Sequence, residues 1–198
     1  MARLQLNKSS LARETAHLKS YRRFLPSLDL KRRQLMAAAA KARTDLEAAR
    51  AIVAALSAQV GEDLPMLANE EVTLDGLARL TACRRATENV AGVSLPVLAE
   101  IEVEVAPYSP LAKPHWVDEV ARLLKEMLTA RLQVEIAQER RAILQKAVET
   151  ITQRVNLFEK VLVPRTEANI KRIRIHLNEE TMSAVTRSKI AKRKRAAA

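Results

Sequence analysis

Glycine, cysteine and aromatic residues are what this 198-residue chain has least of: three glycines, one cysteine and 3% aromatics. Each scarcity excludes a class of protein. Gly61, Gly76 and Gly92 stand apart, and none belongs to a glycine-rich loop before a Lys-Ser or Lys-Thr pair, so the phosphate cradle of a nucleotide hydrolase is missing. Cys83 has no second cysteine to pair with, which rules out an intrachain disulfide and suits a reducing compartment. His17, His115 and His176 lie far from one another and from Cys83, so no metal-ligand spacing exists and no cofactor is expected. Aromatics are too few for a large globular core. No run approaches the roughly 18 uncharged apolar residues of a membrane span. The first residues, Met1-Ala2-Arg3-Leu4-Gln5, lack the apolar stretch of a signal peptide. The expectation is a soluble, cytoplasmic chain with no catalytic site of its own.

What the sequence has instead is a seven-residue apolar repeat at both ends. In the C-terminal half Leu123, Ala130, Ala137, Leu144, Ile151 and Phe158 form one column, and Val120, Met127, Val134, Val148, Val155 and Leu162 form another, interrupted by Arg141. In the N-terminal half the columns are Leu11, Leu18, Leu25, Ala39, Leu46 and Val53, interrupted by Arg32, and Tyr21, Leu28, Leu35, Ala42, Ala49 and Leu56. This is the a/d stripe of a left-handed coiled coil. The predicted fold is all-α: a long antiparallel two-helix coiled coil of the N- and C-terminal helices, with a small middle segment holding a short helix and a β-hairpin. Arg32 and Arg141 set register as a polar layer or mark a docking site.

The formal charge of +11 is unevenly distributed. Residues 1–33 carry nine Lys/Arg and two acids, residues 165–198 carry ten and three, so each end holds +7 and the rest of the chain −3. Antiparallel helices would bring both basic ends to one tip of about +14, a surface suited to an acidic or phosphate-lined partner.

Four segments follow. Residues 1–60 are a coiled-coil helix capped near Asn7 to Ser10, roughly 80 Å long at 1.5 Å per residue, with a kink or break expected at Pro26 and a stop at Gly61-Glu62-Asp63 and Pro65. Half of the 22 positions from Ala37 to Ala58 are alanine, which gives a thin helix of strong propensity. Residues 61–115 form a small base: a short helix over Val72 to Thr81, then a hairpin. Val90, Val93 and Leu95 supply its first strand, Pro96 to Ala99 the turn, and Ile101, Val103 and Val105 the second strand, alternating with Glu100, Glu102 and Glu104. The three glutamates read as a solvated or partner-facing edge, not a catalytic row, and the apolar face needs the coiled coil or another protein beneath it. Residues 116–186 are the second coiled-coil helix, beginning near His115 to Asp118 and interrupted by Pro164. Residues 187–198 are a basic tail, expected to be frayed on its own.

The run Arg154-Val155-Asn156-Leu157-Phe158-Glu159-Lys160-Val161-Leu162-Val163-Pro164-Arg165, followed by Ile170-Lys171-Arg172-Ile173 and Leu177, resembles the signature of the D subunit of V-type (V/A-type) rotary ATPases. Arg22-Arg23, Lys31-Arg32 with Leu35-Met36, and Glu88 to Val93 with Pro96 agree in order and position, so the resemblance spans nearly the whole chain. The sequence departs from that pattern at Phe24, where the family usually has a glycine, at Pro26, and over Met182 to Thr186.

The resemblance implies a non-catalytic central rotor shaft that couples ATP synthesis or hydrolysis to proton or sodium transport. Its coiled coil, with a seam that includes Leu28, Leu35, Leu46, Leu144, Val148, Ile151, Val155, Phe158 and Leu162, would enter the hexamer of A and B subunits. Arg13, Arg22, Arg23, Arg165, Arg172 and Arg174 would contact that hexamer. Val93, Leu95, Ile101, Val103 and Val105 would serve the F subunit or a regulatory hairpin. The base would seat on the C/d subunit above the membrane rotor ring, which makes the chain peripheral to a membrane without insertion. Two other readings fit a basic coiled coil: nucleic-acid binding through Lys189 to Arg195, and another stalk protein, such as a secretion or flagellar shaft or the gamma chain of an F-type enzyme. The gamma reading conflicts with a connection too short for an α/β domain, and the secretion stalks should lack the hairpin.

Overall fold

A computed structural model describes residues 4–68, 74, 76–108 and 113–196. The chain is mostly helical. Helix α1 (Lys8–Asp63) is followed by a short 3₁₀ turn (Pro65–Ala68), strands β1 (Ala78–Val90) and β2 (Val93–Val105), helix α2 (Val117–Leu157), five residues of π-helix (Phe158–Leu162) and helix α3 (Val163–Ala196). None of the described helices is long and apolar enough to cross a membrane.

Helix α1 starts where Asn7 caps it: the Asn7 Oδ1 accepts the Ser10 backbone N–H at 2.7 Å and the Ser9 hydroxyl at 2.9 Å. Of the kink or break expected at Pro26, the break does not occur: α1 passes through Pro26 without interruption. An interior proline costs a helix about 3 kcal/mol through one lost donor and ring crowding, which burial along a helix of 56 residues offsets. The helix also runs through Gly61 to Asp63 before Pro65 ends it, so a lone glycine was not a stop.

Pro164 acts differently. It perturbs hydrogen bonding without breaking the chain's helical course: Phe158–Leu162 widen to π geometry, and the Val163 N–H donates to the Phe158 carbonyl. A π turn is one of the devices by which a helix absorbs the clash between a proline ring and the preceding turn. Thr166, buried, donates its hydroxyl to the Leu162 carbonyl at 2.6 Å. The tail also differs from expectation, since α3 remains helical through Lys189 to Arg195 with every residue exposed. Its lysines, arginines and alanines all favour helix.

The hairpin exists, but its turn lies elsewhere. Strands β1 and β2 pair antiparallel around Ala91-Gly92, both at positive φ (51° and 78°), and the Asn89 Oδ1 accepts the Gly92 N–H at 2.8 Å. Positive φ at both central residues is what a tight hairpin with native twist demands. Pro96, expected in the turn, sits inside β2 opposite Thr87. A two-stranded sheet has two open edges, so a residue without an N–H fits. The expected short helix over Val72 to Thr81 falls partly outside the described residues, and its last part, Ala78 to Thr81, is strand.

Two compact units result, one from residues 1–32 and 150–198, the other from residues 33–149. In the first, Glu14 accepts from the Asn169 amide at 3.2 Å, Arg22 pairs with Glu167 at 2.7 Å, and the Tyr21 and Phe158 rings meet edge to face with centroids 5.4 Å apart. In the second, Leu64, Leu77, Val117, Val120, Ala121 and Leu123 form a buried cluster, against which Leu56, Val60, Val105 and Trp116 pack. All the seam positions of α1 are buried or half-buried, and so are those of α2 and the π segment apart from Arg141, which is exposed. Arg32 is half-buried and pairs with Asp29 one turn earlier.

Candidate functional site

The residues capable of recognition divide between the two units by charge. The first unit contains eight Lys/Arg and two acids from the N-terminal segment, and twelve and four from the C-terminal one, which leaves it at +14. The second unit is therefore at −3. Both basic ends of the sequence thus fold into one unit. A field of that sign attracts acidic surfaces and raises association rates at low salt.

Within that unit Arg13, Arg22, Arg23, Arg165, Arg172 and Arg174 are all exposed. Arg22 is tied to Glu167, a pair open enough to water to contribute little stability. Among the described residues the other five make no ion pair, so their guanidinium groups are free to bind carboxylates in bidentate fashion. His176 lies 3.7 Å from Glu180 on the exposed part of α3.

The hairpin residues named from sequence are less uniform. Leu95 is 1% exposed and so is covered by this chain itself. Val93, Ile101, Val103 and Val105 are half-buried, and Val105 packs on the core cluster. Glu100, Glu102 and Glu104 are exposed, with Glu100 3.5 Å from Arg84 across the ladder.

Sequence reasoning missed the contacts that seat the hairpin on α2. Arg140 donates to Glu88 at 3.0 Å and to the Pro96 carbonyl at 3.2 Å, while Arg85 lies 3.5 Å from Glu135 and 3.4 Å from Glu139. The helical spacing of Glu135 and Glu139, one turn apart beside Arg140, was the available signal. A second group surrounds the start of α2. Arg122 binds Glu119 and Glu126, which raises its own pKa and, chiefly through the hydrogen bond, holds Glu119 below the ordinary 4.5. The Tyr108 hydroxyl donates to Asp118, and that bond raises the phenol above its ordinary 10.0.

An apolar cleft of about 160 Å³ opens between the end of α1 and the start of α2, lined by Val60, Leu64, Leu67, Leu123, Leu124 and Met127. Among the described residues no cluster of His, Cys, Asp or Glu has the form of a metal site. The chemistry available is recognition: a strongly basic helical surface, an acidic strand edge and an apolar cleft.

The family model for the ATP synthase D subunit matches residues 10–193. The chain is similar to a V-type ATP synthase D subunit of Borreliella burgdorferi, 30% identical over 97% of this chain and 95% of the relative. It is also similar to proteins of the same description from Chlamydia muridarum (30% identical, 98% and 96% covered) and Chlamydia caviae (29%, 98% and 94%).

Proposed function

The chain belongs to the D-subunit family of ATP synthases, a stalk component of the complex rather than a catalytic one, and from that premise we propose that it is the central rotor shaft of a V-type ATPase or ATP synthase. In this reading its terminal segments pair as an antiparallel coiled coil and turn inside the hexamer of A and B subunits. The base binds the F subunit and rests on the C/d subunit above the membrane ring. Rotation couples ATP synthesis or hydrolysis to movement of protons or sodium. The chain stays peripheral to the membrane.

The observation that carries the reading is the gathering of both basic ends into one unit at +14 while the other stands at −3. A shaft needs one segment that engages acidic surfaces without a deep lock, because tight apolar burial would stop it turning. Free arginines on helices meet that need, since exposed charge contacts are individually weak and numerous. Paired as a coiled coil, two long helices with seams that are buried or half-buried would supply stiffness to transmit torque. The connection with the hairpin leaves protein-facing surface for the base.

Co-purification tests it. Expressed with the A and B subunits of its own organism, with and without the F subunit, the chain should bind as a single copy per hexamer, and deletion of residues 92–105 should change ATP turnover. No binding to the hexamer, together with salt-resistant binding to nucleic acid, would replace this reading by that of a basic coiled coil on nucleic acid.

A further inference from the structure

The hairpin is not one uniform ladder. Two bulges divide it, Thr81 without a partner on β2 and Ala99 without one on β1, and between them Ala82 to Arg84 pair with Glu100 to Glu102 as a short hinge block. Inward of both bulges, Ala78 to Leu80 pair with Val103 to Val105. That inner half is anchored to the core cluster, through Val105, buried Leu77 and the bond from the Ala106 N–H to the Leu77 carbonyl at 2.8 Å. Outside them, residues 85–90 pair with residues 93–98, and this outer half is held to α2 by different forces.

Ile136 shows where it is held. It lies on neither heptad column of α2, yet it is only 5% exposed. Its neighbours Glu135, Glu139 and Arg140 are the α2 residues that bond to Arg85, Glu88 and the Pro96 carbonyl, all on the outer half. Buried Leu95 belongs to the same half. The outer half is therefore fastened to α2 by charge beside two buried apolar side chains, Leu95 on the strand and Ile136 on the helix.

We infer that residues 85–98 form a strap that lifts from α2 as a unit, hinged at the Thr81 and Ala99 bulges and latched by Arg140 and Arg85. The Arg85 pairs are open to solvent and Arg140 is half-buried with an exposed Glu88, so each pair is modest and screened by salt. Bulges interrupt the ladder and let a strand bend there, so opening need not disturb the inner half. Lifting uncovers Leu95 and Ile136 together, ringed by Glu135, Glu139 and Arg140. Opening of this kind is a subglobal event, with its own free energy, separate from unfolding of the helices. The inference rests on the hairpin's geometry and does not depend on the rotor assignment.

Hydrogen exchange on the full isolated chain, followed by mass spectrometry, tests it. Ladder amides of residues 85–98 should exchange about tenfold faster in Arg140→Ala, and faster in the unaltered chain at high salt than at low salt, while residues 78–80, 103–105 and both long helices keep their rates. Arg140→Glu should open the strap, and adding Glu88→Arg should restore part of the protection. The idea is overturned if exchange over residues 85–98 is indifferent to Arg140→Ala and to salt, if inner half and core cluster accelerate equally, or if the charge swap restores nothing.

Discussion

Alanine at Leu46 and at Ile52 removes the same three carbons from the same helix, yet the two substitutions should differ severalfold in cost. Leu46 is 2% exposed on a heptad column, and Ile52, less than two turns on, is 50% exposed off both columns. At about 0.8 kcal/mol per methylene the carbons lost from Leu46 represent roughly 2.4 kcal/mol of transfer free energy, and unrelaxed space adds more, which gives about 3 kcal/mol. Ile52 already keeps half its surface in water, and the better helix propensity of alanine recovers a few tenths, so its loss should be about 1 kcal/mol or less. For a chain of this size that corresponds to a fall in Tm of about 6–12 °C against about 3 °C or less. Thermal and urea unfolding followed by far-ultraviolet circular dichroism would measure both, with unchanged helix content as the control. Equal shifts for the two variants would refute the argument that the heptad columns, not α1 as a whole, hold this unit together.

Three further outcomes are expected. Arg165→Gln combined with Arg172→Gln should weaken binding to the A/B hexamer about tenfold or lower coupled turnover, and flatten its salt dependence, while leaving the chain's own Tm within about 1 °C; unchanged assembly and turnover would contradict the role given to these arginines. At the hairpin turn, where Ala91 carries a φ of 51°, Ala91→Gly should stabilise the ladder by about 0.5–1 kcal/mol, whereas Gly92→Ala, at φ 78°, should cost about 1–2 kcal/mol, both read from exchange protection over β1 and β2. Glu119 has a lowered pKa in the folded chain, so its contribution is present above its ordinary 4.5 and is lost as pH falls through the lowered value. Glu119→Gln should therefore be less stable near neutrality, with the gap closing in the acid range; a gap that stays constant with pH would show that Arg122 is not the cause.

Several features were legible because they depend on residues close in sequence. A cap at Asn7, long helices through alanine-rich heptads, an alternating Ile101, Val103 and Val105 strand, and an exposed glutamate row all follow from local periodicity and side-chain chemistry. Local rules misread the turn because Pro96 was a stronger punctuation mark than Ala91-Gly92, and only the long pairing from Ala78 onward made Pro96 an acceptable edge residue. They also overrated the helix-breaking power of Pro26, which depends on how much burial the surrounding helix gains.

The sequence by itself determined that this chain would be mostly helical with one hairpin, that its positive charge would be concentrated in its two ends, and that it carries the residues of the D-subunit family. Periodicity, propensity and charge are properties of nearby residues, so no fold is needed to read them. Only the tertiary structure decided that both basic ends share one unit, that Pro164 is absorbed by a π turn, and that Arg140 is held by residues some 40 to 50 positions earlier in the chain. Those outcomes depend on which distant surfaces meet. Arg140 could have pointed into water, and what fixes it is the carbonyl of Pro96 and the carboxylate of Glu88 arriving from the other end of a long chain closure.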